Sequence, residues 1–309
     1  MNSQQSRESQ PTGPALPAGA CDCHAHVYGP FDQFPLPIQA PFQPPPAPVE
    51  ALERLWGAFE VERGVLIQGG AYGQDDHRAL LAAIGRDSEN RRGVALVKPA
   101  TSDEALKHLH ASGVCGARIN FVRHLSRNGF DEAACWQVIE RIKPLGWHLE
   151  LHVDAADLGQ IQGFVRESPV EVVIDHMGRV DAGLGPLQAP FRTLLELVSH
   201  PRCWVKLSGA ERLAKGGPLE TAVPFAQALV EVAPERVVWG TDWPHVNLKQ
   251  LPSDEALFSL LAQFAPDERS LTRLLVDNPA RLYGFSHPIS KSTFRNSSQS
   301  ASNQNQNSL

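Results

Sequence analysis

Asp22-Cys23-His24-Ala25-His26 closes a short apolar segment near the amino terminus. On an extended strand side chains alternate with period two, so His24 and His26 share a face and Cys23 is expected on the opposite one. Two imidazoles converging from one strand end can ligate a metal or polarise a substrate oxygen. In a chain with 12 histidines an isolated His-x-His pair is also a plausible accident. Three later segments argue against accident. Leu149-Glu150-Leu151-His152, Val172-Val173-Ile174-Asp175-His176 and Val237-Val238-Trp239-Gly240-Thr241-Asp242 are short β-rich runs, each delivering a ligand-type residue where it stops.

Outward from these segments the chain alternates. Strands are expected over 64–68, 93–97, 116–121, 147–152, 170–175, 203–207 and 236–239, with the His-x-His segment as the first. Helices are expected over 49–59, 75–84, 102–111, 131–143, 154–167, 187–199, 219–232, 253–264 and 267–276. Ser102-Asp103-Glu104 is a good helix start. Strands alternating with helices imply parallel pairing, and short apolar strands imply a sheet covered by helices. Eight such units predict an α/β fold, a (β/α)8 TIM barrel, over a doubly wound open sheet. Catalytic residues of that barrel sit at the carboxyl ends of the strands, where the histidines and Asp242 fall. No Gly-x-Gly-x-x-Gly or phosphate-loop motif supports the open sheet.

The remaining segments frame this unit. Residues 28–48 are too proline-rich for a helix or central strand and read as a loop over the site. Residues 1–19 and 286–309, the latter rich in Ser, Asn and Gln, are expected to be disordered, leaving 20–285 as one domain. The 309 residues, 42% hydrophobic and 20% charged, suffice for a sizeable core. A net charge of −6 without a basic stripe argues against nucleic acid, and no apolar run reaches membrane-span length. The 5 cysteines form no Cys-x-x-Cys pair and read as reduced, so a cytoplasmic location is expected. Self-association into a homo-oligomer stays open.

DCHAHVYGP, ARINFV, VVIDHMGRVD, KLSGAERL, ERVVWGTDWPHVNL and NPARLYGF together resemble the amidohydrolase superfamily, and within it the 2-pyrone-4,6-dicarboxylate lactonase group. The resemblance spans about residues 20–285, and IDHMGR with WGTDWPH are its specific parts. It implies hydrolysis or remodelling of a small, often carboxylated lactone from aromatic or sugar-acid catabolism. A metal-dependent decarboxylase of the same superfamily is the alternative.

Lactone hydrolysis requires an activated water, a polarised carbonyl and a stabilised oxyanion. The resemblance makes Asp242 the general base, in preference to a mere helix cap, with His176 beside the reacting centre. Arg118, Arg179 and Arg212 occupy positions of substrate-binding arginines, whose planar fork matches a carboxylate. His124 stands where the group carries another such arginine, and Phe42 where it carries a tyrosine hydroxyl. Both departures remove ways to hold a second carboxylate. At strand five the metal-free lactonase has a tyrosine, whereas this chain has His152. His24, His26, His152 and Asp242 therefore resemble a mononuclear metal set suited to zinc or manganese, with a metal-free mechanism as the competing expectation.

Overall fold

The computed structural model describes residues 14–123 and 130–286. His124 and the chain ends lie outside them. Eight parallel strands run in the order of the sequence: β1 Cys21–Ala25, β2 Arg63–Ile67, β3 Arg91–Leu96, β4 Val114–Asn120, β5 His148–His152, β6 Val172–Ile174, β7 Cys203–Leu207 and β8 Val237–Trp239. Around them lie α1 Val49–Ala58, α2 Arg78–Gly85, α3 Asp103–Ala111, α4 Glu132–Ile142, α5 Gln162–Glu167, α6 Ala189–Ser199, α7 Ala210–Ala214 and α8 Val223–Val232. Four short helices complete the chain: α9 Asp254–Ser259, α10 Leu261–Phe264, α11 Glu268–Thr272 and α12 Asn278–Tyr283. This is the expected (β/α)8 barrel.

The barrel closes just past the end of β8. Asp242 N donates to His24 O at 2.7 Å and His26 N to Trp243 O at 2.8 Å. Site residues thus make the seam themselves. Gly240 is needed there, because a Cβ on it would fall 2.5 Å from His24 N.

The inside of the barrel is layered. Tyr283 and Phe285 pack with Cys21, Val65 and Val173, so the residues from α12 onward plug the end where the strands begin. Arg63 and Arg92 stack their guanidinium groups over the Phe285 ring at 5.5 and 4.8 Å. Above this apolar layer lies a charged one, built by Glu150, Asp175, Arg118 and Lys206. Lys206 Nζ sits 2.7 Å from Glu150 Oε1 and 3.6 Å from Asp175 Oδ1, with both ends fully buried. The histidines cap this layer.

The histidines and Cys23 do not divide as expected. The β1–β2 register shifts between Asp22 and Ala25. Asp22 faces outward, accepting from Trp56 Nε1 of α1 at 3.0 Å. Cys23 packs in the interior layer, its Sγ 3.6 Å from that of Cys21. After the irregularity His24 also points inward, to Lys206. A bulge places two consecutive side chains on one face, which strict alternation forbids. His24 and His26 keep the common face, their ring centroids 5.1 Å apart.

Several helices differ from the reading by periodicity. The segment expected over 154–167 is a 3₁₀ turn, Ala155–Asp157, followed by α5 alone; Gly159 and Gly163 weaken a continuous helix. The one expected from 219 opens as a 3₁₀ turn, and α8 starts at Val223 with Pro224 in its first turn, where a missing N–H costs nothing. The helix expected from 75 begins at Arg78. The two expected after β8 break into α9, α10 and α11, with a π turn, Arg273–Asp277, leading into α12. The helix α7 was not anticipated. Ser102 caps α3 through its side chain as anticipated, and Asp131 caps α4 in the same way.

Candidate active site

Asp242 is the centre on which the strand ends converge. Its Oδ1 lies 3.6 Å from His24 Nε2, 3.5 Å from His26 Nε2 and 4.0 Å from His176 Nε2. Its Oδ2 accepts from Arg212 of α7. Burial opposes ionisation of Asp242, but Arg212, followed by His176, His26 and His24, outweighs it and holds the carboxyl well below the usual carboxylate range. The centre therefore holds a buried, ionised carboxylate at neutral pH.

The loops that position these groups are strained. His176, Met177, Gly178 and Arg179 take φ values of 50, 48, 63 and 52° in the turn after β6. Asp242 has φ 62° in the turn after β8. Left-handed backbone at non-glycine residues costs energy and persists where surrounding structure dictates it.

Each histidine has a distinct partner. His26 Nδ1 donates to the Ile67 carbonyl at 2.9 Å, which turns Nε2 towards Asp242. Lys206 Nζ donates to His24 Nδ1 at 3.1 Å, and His24 Nε2 has no partner among the described residues. His176 Nδ1 meets Ser208 Oγ at 2.9 Å. Burial first of all lowers the pKa of His24, His176 and His152, aided by Lys206 for His24 and by Arg118 for His152, so all three are neutral imidazoles at pH 7.

Three of the four residues expected as metal ligands come together. His24, His26 and Asp242 offer ligand atoms within 4.8 Å of one another. His152 stands apart, with Nδ1 3.1 Å from Asn120 Oδ1 and Nε2 3.4 Å from Arg179 Nη1. His24, Asp175 and His176 form a second such group. The orphaned Nε2 of His24, Nε2 of His26 and Asp242 Oδ1 are a donor set of the kind that fits a divalent ion. His24 would then turn its Nδ1–H to Asp175 Oδ1, 3.5 Å away.

The three arginines are present, and each is anchored by a carboxylate of the protein. Arg118 Nε donates to Asp175 Oδ2 at 2.8 Å, and Arg179 Nε to Asp154 Oδ1 at 3.1 Å. Arg212 is held by Asp242. The anchoring fixes each guanidinium plane before any ligand arrives. Phe42 packs edge-on against Tyr28, with ring centroids 6.2 Å apart, so the proline-rich loop does reach the site.

Glu150, Asp175 and Lys206 were not singled out by sequence reasoning, although a signal existed. A charged residue inside an apolar strand, as in His148-Leu149-Glu150-Leu151 or Trp204-Val205-Lys206-Leu207, is almost never buried without a partner.

The fold and this site define a class. The family model described as Amidohydrolase matches residues 21–285, and the chain belongs to that family. Within it the chain is 39% identical to the 2-pyrone-4,6-dicarboxylate hydrolase of Comamonas testosteroni, over 87% of this chain and 91% of that one. It is 35% identical to the 4-sulfomuconolactone hydrolase of Hydrogenophaga intermedia, over 87% and 90%. Among solved structures it resembles a probable 2-pyrone-4,6-dicarboxylic acid hydrolase of Acinetobacter baumannii with citric acid bound. There the TM-score is 0.75 and the identity 28%, over 86% of this chain and 100% of that one. No helix of the described residues is long and apolar enough to cross a membrane.

Proposed function

We propose that this protein is a hydrolase that opens a small carboxylated lactone, 2-pyrone-4,6-dicarboxylate or a related lactone of aromatic or sugar-acid catabolism. The observation that carries the reading is the buried Asp242, ringed by three inward-facing imidazoles and flanked by anchored arginines. The lactone hydrolases among its relatives support the same chemistry. We assign the cytoplasm as its location.

In this reading a water held against Asp242 Oδ1 attacks the lactone carbonyl, and Asp242 takes its proton as general base. His176, neutral and oriented by Ser208, faces the oxyanion that forms. Arg118 and Arg179 present their free Nη groups to a substrate carboxylate, with Arg212 also in reach. His124 is assigned to the same clamp but lies outside the described residues. His24, His26 and Asp242 would hold a zinc or manganese ion, with His152 as a further ligand only if it left Arg179. Such an ion, when bound, supplies carbonyl polarisation and a more acidic water.

A panel of lactones, 2-pyrone-4,6-dicarboxylate and 4-sulfomuconolactone included, assayed for acid release with and without chelator tests the reading. Acid release from at least one carboxylated lactone is the expected result. Carbon dioxide release from small acids with no lactone opened would turn the assignment to a decarboxylase.

A further inference from the structure

Tyr28 lies two residues beyond His26 and is only 1% exposed, yet its hydroxyl makes no hydrogen bond among the described residues. Buried phenols ordinarily find a partner. Unlike the phenol oxygen of Tyr283, that of Tyr28 is not sealed in the core.

The ring has no room to swing away. It stacks on Tyr72 at 6.0 Å between centroids, with an interplanar angle of 20°, and lies 6.1 Å from His26. Gly69 supports its other edge so closely that a Cβ there would fall 2.5 Å from Cε1 and 2.9 Å from Cζ. Nearby aromatic side chains offer no substitute. The Tyr72 hydroxyl accepts from Gly29 N at 2.7 Å, and Phe42 has none.

The ring stands beside His26 of the site, which also holds the Arg118 and Arg212 side chains, and a phenol hydroxyl is an uncharged donor. A neutral donor beside two guanidinium groups suits an anionic oxygen, to which it adds a directed hydrogen bond without adding charge.

We propose that Tyr28 is a substrate-binding residue whose hydroxyl donates a hydrogen bond to a carboxylate of the bound lactone. This rests on the reading of the site as one for carboxylated lactones. It adds to the arginine clamp a contact from the loop after the first strand.

Isophthalate, a planar dicarboxylate with no lactone bond to open, isolates the binding step. Its affinity is measured by calorimetry for the wild-type protein, Tyr28→Phe and Tyr72→Phe. Tyr28→Phe keeps the ring and removes a hydroxyl with no protein partner, so the fold is retained. Loss of a hydrogen bond to a charged group predicts binding weaker by about tenfold or more, with Tyr72→Phe unchanged. A loss below about threefold for Tyr28→Phe, an equal loss for Tyr72→Phe, or a wild-type protein that does not bind isophthalate would overturn the proposal. Lactone opening that persists beside any of these results keeps the hydrolase reading and removes Tyr28 from it. The expected isophthalate pattern in a protein that opens no lactone does the reverse.

Discussion

Arg212 Nε donates to Oδ2 of Asp242 at 2.6 Å, and its Nη2 lies 2.5 Å from the same oxygen. The pair sets the charge of the site, because it leaves Oδ1 alone to face the histidines. It also makes Asp242 a base that is ready over a wide pH range and only weakly basic.

Replacing Arg212 should therefore move the acid limb of activity. Asp242 acts in its ionised form, which exists above its pKa, and Arg212 is the largest influence lowering that pKa. In Arg212→Met the pKa rises, so the acid limb of kcat shifts to higher pH. A pH–rate profile with its acid limb unmoved would separate Arg212 from the control of the base.

Arg179 should matter to the acid and not to its ester. Loss of a charge-assisted hydrogen bond costs on the order of 1.5–3 kcal/mol, or roughly ten- to a hundredfold. Arg179→Met is expected to raise KM for a carboxylated lactone by that factor and to leave the neutral methyl ester nearly unaffected. Equal changes on the two substrates would take Arg179 out of the clamp.

Lys206 should hold the barrel together electrostatically. It is the shared partner of Glu150 and Asp175 in an interior closed to water. Lys206→Met leaves buried carboxylates unpaired and should cost about 3–5 kcal/mol in denaturant unfolding. A loss under about 1 kcal/mol would mean that the charges are relieved in another way.

Outside the barrel, Glu53 bridges Arg86, at 2.7 Å, and Arg91, at 2.6 Å. Arg86 first, then Arg91, lowers its pKa to about 2 against a modest burial cost. A depressed carboxylate pKa contributes stability above the unfolded value of 4.5, and that stability is lost as pH falls towards 2. Glu53→Gln should thus be destabilised near neutrality, by no more than about 1 kcal/mol for so exposed a network, and match the wild type near pH 2. A difference independent of pH would assign the effect to packing.

How much of this was legible in the chain can be judged from particular residues. The barrel followed from the alternation of apolar strands with helices, and the convergence of His24, His26, His176 and Asp242 followed from their places at strand ends. That Cys23 and His24 share the interior face was not legible, because the irregularity between Asp22 and Ala25 arises in the pairing of β1 with β2. His152 was read correctly as a strand-end residue, yet Asn120 and Arg179, which hold its ring apart from the other three ligand candidates, are neighbours only in space. Nor was α7 foreseen. It is five residues long, too short for periodicity, although it carries Arg212 to the centre of the site.

The central claim is that Asp242 is the base that activates water for lactone opening. The most direct test is kcat of Asp242→Asn on the carboxylated lactone that the wild-type protein opens fastest, with the fold checked by circular dichroism. General-base catalysis is typically worth 10²–10⁴-fold, and a loss of about that size is predicted because an amide cannot accept the proton of the water. A folded variant that keeps more than about a tenth of the wild-type kcat would contradict the account.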